Sequence, residues 1–192
     1  NLMGTRLDAA GKPLDRGGLM LDRRRGGPPS SRAAGCYGTW HIANATNTDG
    51  VQLLRLDLTG KALGRTPFPG SLPSMACLGP VALVAWEAGG MIRVARLSRD
   101  GALDPPAGFV VSASDEQGQQ TQAQQNPVNE RGSNPMVASD GQQWLVVYQV
   151  TNTSATHLRG IRLDVEGRRV DGRPFLIPGA TQPGAWRLLS YP

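Results

Sequence analysis

A hairpin written four times constrains this chain more than any other feature. Aligned on Arg-Leu-Asp, the copies start at Arg6, Arg55, Arg96 (with Ser98 in the Asp place) and Arg162, at intervals of 49, 41 and 66 residues. Five residues after each Arg comes a glycine (Gly11, Gly60, Gly101, Gly167), and thirteen after each comes Leu19, Phe68, Phe109 or Phe175, which include all three phenylalanines of the chain. A self-similar period near 50 belongs to blade-sized units rather than to a helical array.

Each position has a physical reason. An Asp that opens a turn accepts hydrogen bonds from the loop backbone, and a Gly that closes it takes the left-handed conformation. The acidic residues of the repeat are therefore expected to form turns rather than bind ligands. Alternation before the turn puts Leu7, Leu56, Leu97 and Leu163 on one face and the Arg and Asp of each unit on the other, where they are expected to pair weakly on a solvated sheet face. The Phe position is expected to return the chain to the core side.

Upstream of three copies runs a strand ending in an aromatic, at Trp40, Trp86 and Tyr148, and a related stretch ends at Tyr191. Shorter elements, "PSMAC" from Pro73 and "PMVAS" from Pro135, precede two of them. Four consecutive antiparallel strands per unit read as an all-β β-propeller. Four blades are expected, the N- and C-terminal strands completing one: residues 1–22 with 179–192, then 28–70, 71–112 and 135–178, with a Gln-rich loop at 113–134. The competing interpretation is an excerpt of a longer repeat protein.

The stretch "NPMVASDGQQWLVVYQVTNTSATHLRGIRLDVEGRRVDGRPFLI" resembles secreted bacterial repeat proteins, common in myxobacteria and relatives, that read Pro, apolar, Ala, Asp-Gly, "LVVW", an Arg-containing strand and a final apolar strand. The resemblance implies a secreted or cell-surface, propeller-like protein and leaves the ligand open. An acidic residue commonly follows the aromatic in that pattern: Glu87 keeps it, and His41 and Gln149 do not.

Composition supports strands and turns, with 25 Gly and 15 Pro in 192 residues. No apolar run is long enough to cross a bilayer as a helix. The net charge of +5 is almost all arginine. Because most Arg sit beside Asp in the repeat, nucleic acid is not an expected partner; Arg23, Arg24 and Arg25 form the one cluster suited to an anion. Cys36 and Cys77 are enough for one disulfide, which would accord with export, and free thiols are the alternative.

No nucleophile elbow, phosphate loop or His-based metal site is present, so neither catalytic residues nor a cofactor or metal is expected. "SDGQQW", from Ser139 to Trp144, is read as a hairpin turn. Binding residues are expected on the connections: Asn44, Thr46 and Asn47 in one polar loop, Asn152 and Thr153 in another, and Gln119 and Gln120 in the Gln-rich segment. The chain is thus expected to be a non-enzymatic binding or scaffold module, its partner a protein neighbour or a surface polysaccharide. Lectin-like, fibre or coat, and hydrolase roles are the alternatives, the hydrolase requiring a carboxylate cluster.

Overall fold

The computed structural model describes residues 2–22, 31–46, 50–112, 131–151 and 155–178. The chain is all-β and propeller-like. A two-stranded hairpin, β1 (Leu2–Gly4) and β2 (Leu19–Asp22), precedes three four-stranded antiparallel sheets, each formed by consecutive strands. The first holds β3 (Ser31–Cys36), β4 (Thr39–Thr46), β5 (Gly50–Leu56) and β6 (Ala62–Phe68); the second β7 (Ser71–Leu78), β8 (Val81–Ala88), β9 (Met91–Leu97) and β10 (Leu103–Val110). The third holds β11 (Arg131–Ser139), β12 (Trp144–Thr151), β13 (Thr156–Leu163) and β14 (Phe175–Ile177). Residues 179–192, which the sequence assigns to a shared blade, lie outside the described residues.

The turn grammar acts as read. Oδ1 of Asp8 accepts from the amides of Ala10 and Lys12, and Oδ1 of Asp57 from those of Thr59 and Lys61. Asp164 accepts from Arg168, and the Ser98 hydroxyl oxygen from Ala102. Gly60 and Gly101 have φ near +87° and +88°, which a side chain rarely adopts. The Ser139–Trp144 segment is a hairpin turn in which Asp140 accepts from the amides of Gln142 and Gln143.

Three apolar cores join the units in sequence order. Leu2, Leu19 and Leu21 of the hairpin pack on Ile42, Leu54 and Leu56. Val51, Leu53 and Phe68 pack on Val84, Trp86 and Leu97, with the Phe68 and Trp86 rings 5.0 Å apart. Leu83, Ile92 and Val94 pack on Trp144, Tyr148 and Ile161. The middle sheet therefore buries both faces, and β8 is an apolar run rather than an alternating one.

This stacking corrects the expectation of a solvated Arg face. The face that carries Arg55 also carries Leu53 and Val51 and packs on the next sheet. Nη1 of Arg6 donates to the carbonyl of Leu58, 3.2 Å away, and Nη1 of Arg55 to that of Arg99, 2.7 Å away, each carbonyl lying one residue into the turn of the following unit. The stem of Arg96 lies against Gly167 in the corresponding turn. Nor do the Arg pair with the Asp of their own triplet. Arg6 pairs with Asp15, Arg96 with Asp104 and Arg162 with Asp171, each at 2.6 Å.

The Phe position shares the Arg face rather than the Leu face. Phe109 pairs with Val94 and Phe175 with Gly160, each two residues before its Arg, and Leu19 pairs with Gly4 in the same way. Phe68 is two residues further out, opposite Val51. Phe68 is buried against the second sheet, and Phe175 is exposed.

Strand β4 holds a second correction. Trp40 pairs with Leu56 as Trp144 pairs with Leu163, so its counterpart is Trp144, not Trp86 or Tyr148. The place opposite the residue three before the Arg belongs to Trp86, Tyr148 and, in β4, Asn44. His41 pairs with Arg55 where Leu83 and Leu145 pair with Arg96 and Arg162. The true counterparts of Glu87 are Ala45 and Gln149, so His41 does not belong in that comparison.

Candidate functional site

Each four-stranded sheet has one end made of tight turns and another made of the corner between its second and third strands. The second end gathers the variable connections. Strand β4 ends there at Thr46 and β5 begins at Gly50; β12 ends at Thr151 and β13 begins at Thr156. Strand β2 ends there ahead of β3, and β10 ends there ahead of β11. The flanks of every loop singled out in the sequence thus lie at the same end of the sheets.

Of the residues expected to bind, Asn44 is described. It is half-buried, and its Oδ1 accepts from the Ser31 hydroxyl at 2.8 Å. For Thr46 only the backbone is described, as the last residue of β4. Arg23, Arg24, Arg25, Asn47, Gln119, Gln120, Asn152 and Thr153 lie outside the described residues.

The residue with chemical potential at this end is Glu87, the penultimate residue of β8, opposite Ser71 and Ile92. It is half-buried on the face that meets the third sheet, where the amide of Gly132 donates to the carbonyl of Gly90 at 2.8 Å. Burial holds its carboxyl above the ordinary range, and the positive charge of Arg131 pulls it back in part. Among the described residues no hydrogen bond or ion pair engages that carboxylate. The shifted aspartates are lowered instead, by turn amides, by hydroxyls at Asp57 and Asp100, or by an Arg at Asp15 and Asp171. A carboxyl that keeps its proton longer than usual is suited to donating it. In the third sheet, Nδ2 of Asn134 donates to Oε1 of Gln149 at 2.8 Å, which orients two amides between β11 and β12.

Sequence reasoning passed over Glu87 as a site. Its signal was present: it is an acid near the end of an otherwise apolar or small-residue strand, outside the Asp-to-Gly turn grammar of the repeat.

Cys36 and Cys77 form a disulfide between the ends of β3 and β7, with Cα atoms 6.0 Å apart. No group of three or more His, Cys, Asp or Glu that could hold a metal occurs among the described residues. No helix is long and apolar enough to cross a membrane among those residues.

No family model matches the sequence, and no curated protein matches it. Among solved structures, an exo-1,5-α-L-arabinanase from a bovine ruminal metagenomic library is similar in fold, with a TM-score of 0.50 at 13% identity. The match covers 94% of this chain and 75% of that one. This likeness overturns the expectation of a non-enzymatic binding or scaffold module. That expectation rested on the want of a compact catalytic motif, and a stack of sheets can assemble a site from single residues on separate strands without one.

Proposed function

We propose that this chain is a glycoside-cleaving enzyme acting on a polysaccharide, with Glu87 as the acid that protonates the departing sugar oxygen. The observation that carries this reading is the raised carboxyl of Glu87, unengaged among the described residues, at the loop-bearing end of a fold similar to that of an arabinanase. Cleavage of a glycosidic bond commonly needs a second carboxylate, about 5–5.5 Å from the first for retention of configuration and about 6.5–9.5 Å for inversion. The connections at that end carry further carboxylates in the sequence, at Asp49, Asp115, Glu116 and Glu130, all of which lie outside the described residues. The disulfide supports an oxidising, extracellular working place, where polysaccharides are met.

The test is reducing-end release from linear arabinan and from a panel of other plant and bacterial polysaccharides. Cleavage by the wild-type chain and its loss in folded Glu87→Gln are the expected results. Absence of cleavage across the panel, or full activity in Glu87→Gln, overturns the reading.

A further inference from the structure

Backbone pairing holds the end of β8 on one side only. On the β7 side the register shifts between Ser71 and Ser74, so that Ser71 pairs with Glu87 and Ser74 with Ala85. Trp86, between them, stands opposite two residues that cannot pair as an ordinary strand does: Leu72 has φ +49°, and Pro73 carries no amide hydrogen. A bulge of this kind bends a strand and re-aims the side chains beside it. The strand end that carries Glu87 therefore needs a hold other than the ladder on this side.

The Trp86 side chain supplies it. Trp86 is 1% exposed and lies on the face of β8 that meets the first sheet, opposite to that of Glu87. Two glycines close on its ring. A Cβ built on Gly70, the residue before β7, would lie 2.4 Å from Cδ1 of Trp86 and 2.5 Å from the carbonyl oxygen of Glu87, so this one glycine abuts both the ring and the backbone of the acid. A Cβ built on Gly108 would lie 2.3 Å from Cη2 of the same ring. Gly108 belongs to the part of β10 that slips register against β9 between Asp104 and Phe109, and Nη1 of Arg93 donates to the carbonyls of Ala107 and Gly108, each at 3.1 Å. Arg93 is the β9 partner of Trp86, and its neighbour Ile92 is the partner of Glu87. Phe68 completes the enclosure, its ring 5.0 Å from that of Trp86.

We propose that Trp86, held between Gly70 and Gly108, is the positioning residue of Glu87: it anchors the end of β8 and thereby fixes where the carboxyl stands. The inference rests on the reading of Glu87 as the proton-donating acid and adds the part that keeps that acid in place. Buried as it is, Trp86 acts through the strand rather than on a substrate. A loosened strand end admits water to Glu87, which removes part of the burial that keeps its proton on. It also misplaces the donor, which slows proton transfer more than it weakens binding.

Two variants test it, each checked for folding by circular dichroism. Trp86→Phe keeps an apolar ring but gives up the contact with Gly108, and Gly108→Ala drives the ring away from the other side. Leu54→Ala, a core change between the hairpin and the first sheet, serves as the control for lost stability alone. With Arg131, the charged neighbour of Glu87, left unaltered, carbon NMR titration of the Glu87 carboxyl is expected to fall toward the ordinary range by about half a unit or more in both variants. In Leu54→Ala it is expected to stay in place. On a polysaccharide that the wild type cleaves, both variants are expected to lose about tenfold or more in kcat with KM changed less than about twofold. A Glu87 titration that Trp86→Phe and Gly108→Ala leave in place overturns the inference, as does an equal shift in Leu54→Ala. Absence of cleavage by the wild type counts against the glycosidase reading alone, because the titration reads the anchor without any substrate.

Discussion

The Thr39 hydroxyl oxygen lies 2.9 Å from Nε2 of His41, and the same hydroxyl donates to the carbonyl of Cys36 at 2.8 Å. A hydroxyl whose proton is already engaged accepts, so His41 carries its proton on Nε2. Nδ1 is then an acceptor, buried and without a partner among the described residues. Burial, with the nearby positive charge of Arg55, lowers the histidine below its ordinary range.

The neutral form is thus the one the fold favours. Stability from this site is complete above the unfolded value near 6.5 and is lost as pH falls from there through the lower folded value. His41→Leu, which copies Leu83 and Leu145 at the matching places, is expected to raise the melting temperature at pH 5 and to flatten its dependence on pH between 7 and 5. Thermal unfolding at several pH values reads this directly, and an unchanged slope would refute it.

The Tyr37 hydroxyl donates to the carbonyl of Leu97 at 2.6 Å and accepts from the amide of Ala82 at 3.2 Å, tying the turn between β3 and β4 to the next sheet. Tyr37→Phe leaves both backbone groups without that partner. A loss of about 1–3 kcal/mol in denaturant unfolding is expected, with no change in the far-ultraviolet spectrum.

Arg131 lowers the Glu87 carboxyl against the effect of burial. Removing that charge in Arg131→Gln is expected to raise Glu87 further, so under the proposed glycosidase function the limb of the activity profile that falls with rising pH should move to higher pH. A limb that stays in place would mean that another group supplies the proton.

Reducing the Cys36–Cys77 bond opens a loop with a sequence separation of 41. Chain-entropy arguments give a stability loss of about 4 kcal/mol for a loop of this length. Unfolding of the Cys36→Ala, Cys77→Ala double variant beside the oxidised protein measures it.

The repeat made the hairpins, their turns and the four-strand units legible, because Asp-to-Gly spacing fixes a turn wherever it occurs. The register of β4 was not legible. Asn44 stands where Trp86 and Tyr148 mark the other strands, and Trp40, four residues earlier, offered a false anchor. The role of the Arg face was hidden for a different reason. Alternation tells which residues share a face, but a charged residue that reaches over an edge to a neighbouring carbonyl reads the same as one facing water. Glu87 was legible as an exception to the turn grammar, while its burial depends on the third sheet and on nothing near it in sequence.

The single covalent tie falls in the middle of the stack. It crosses the joint between β3–β6 and β7–β10, while the hairpin on one side and β11–β14 on the other are held by packing and hydrogen bonds alone. Damage to the oxidised protein should therefore proceed from the flanks inward, and limited digestion should leave a resistant central pair of sheets whose size collapses when a reductant is added.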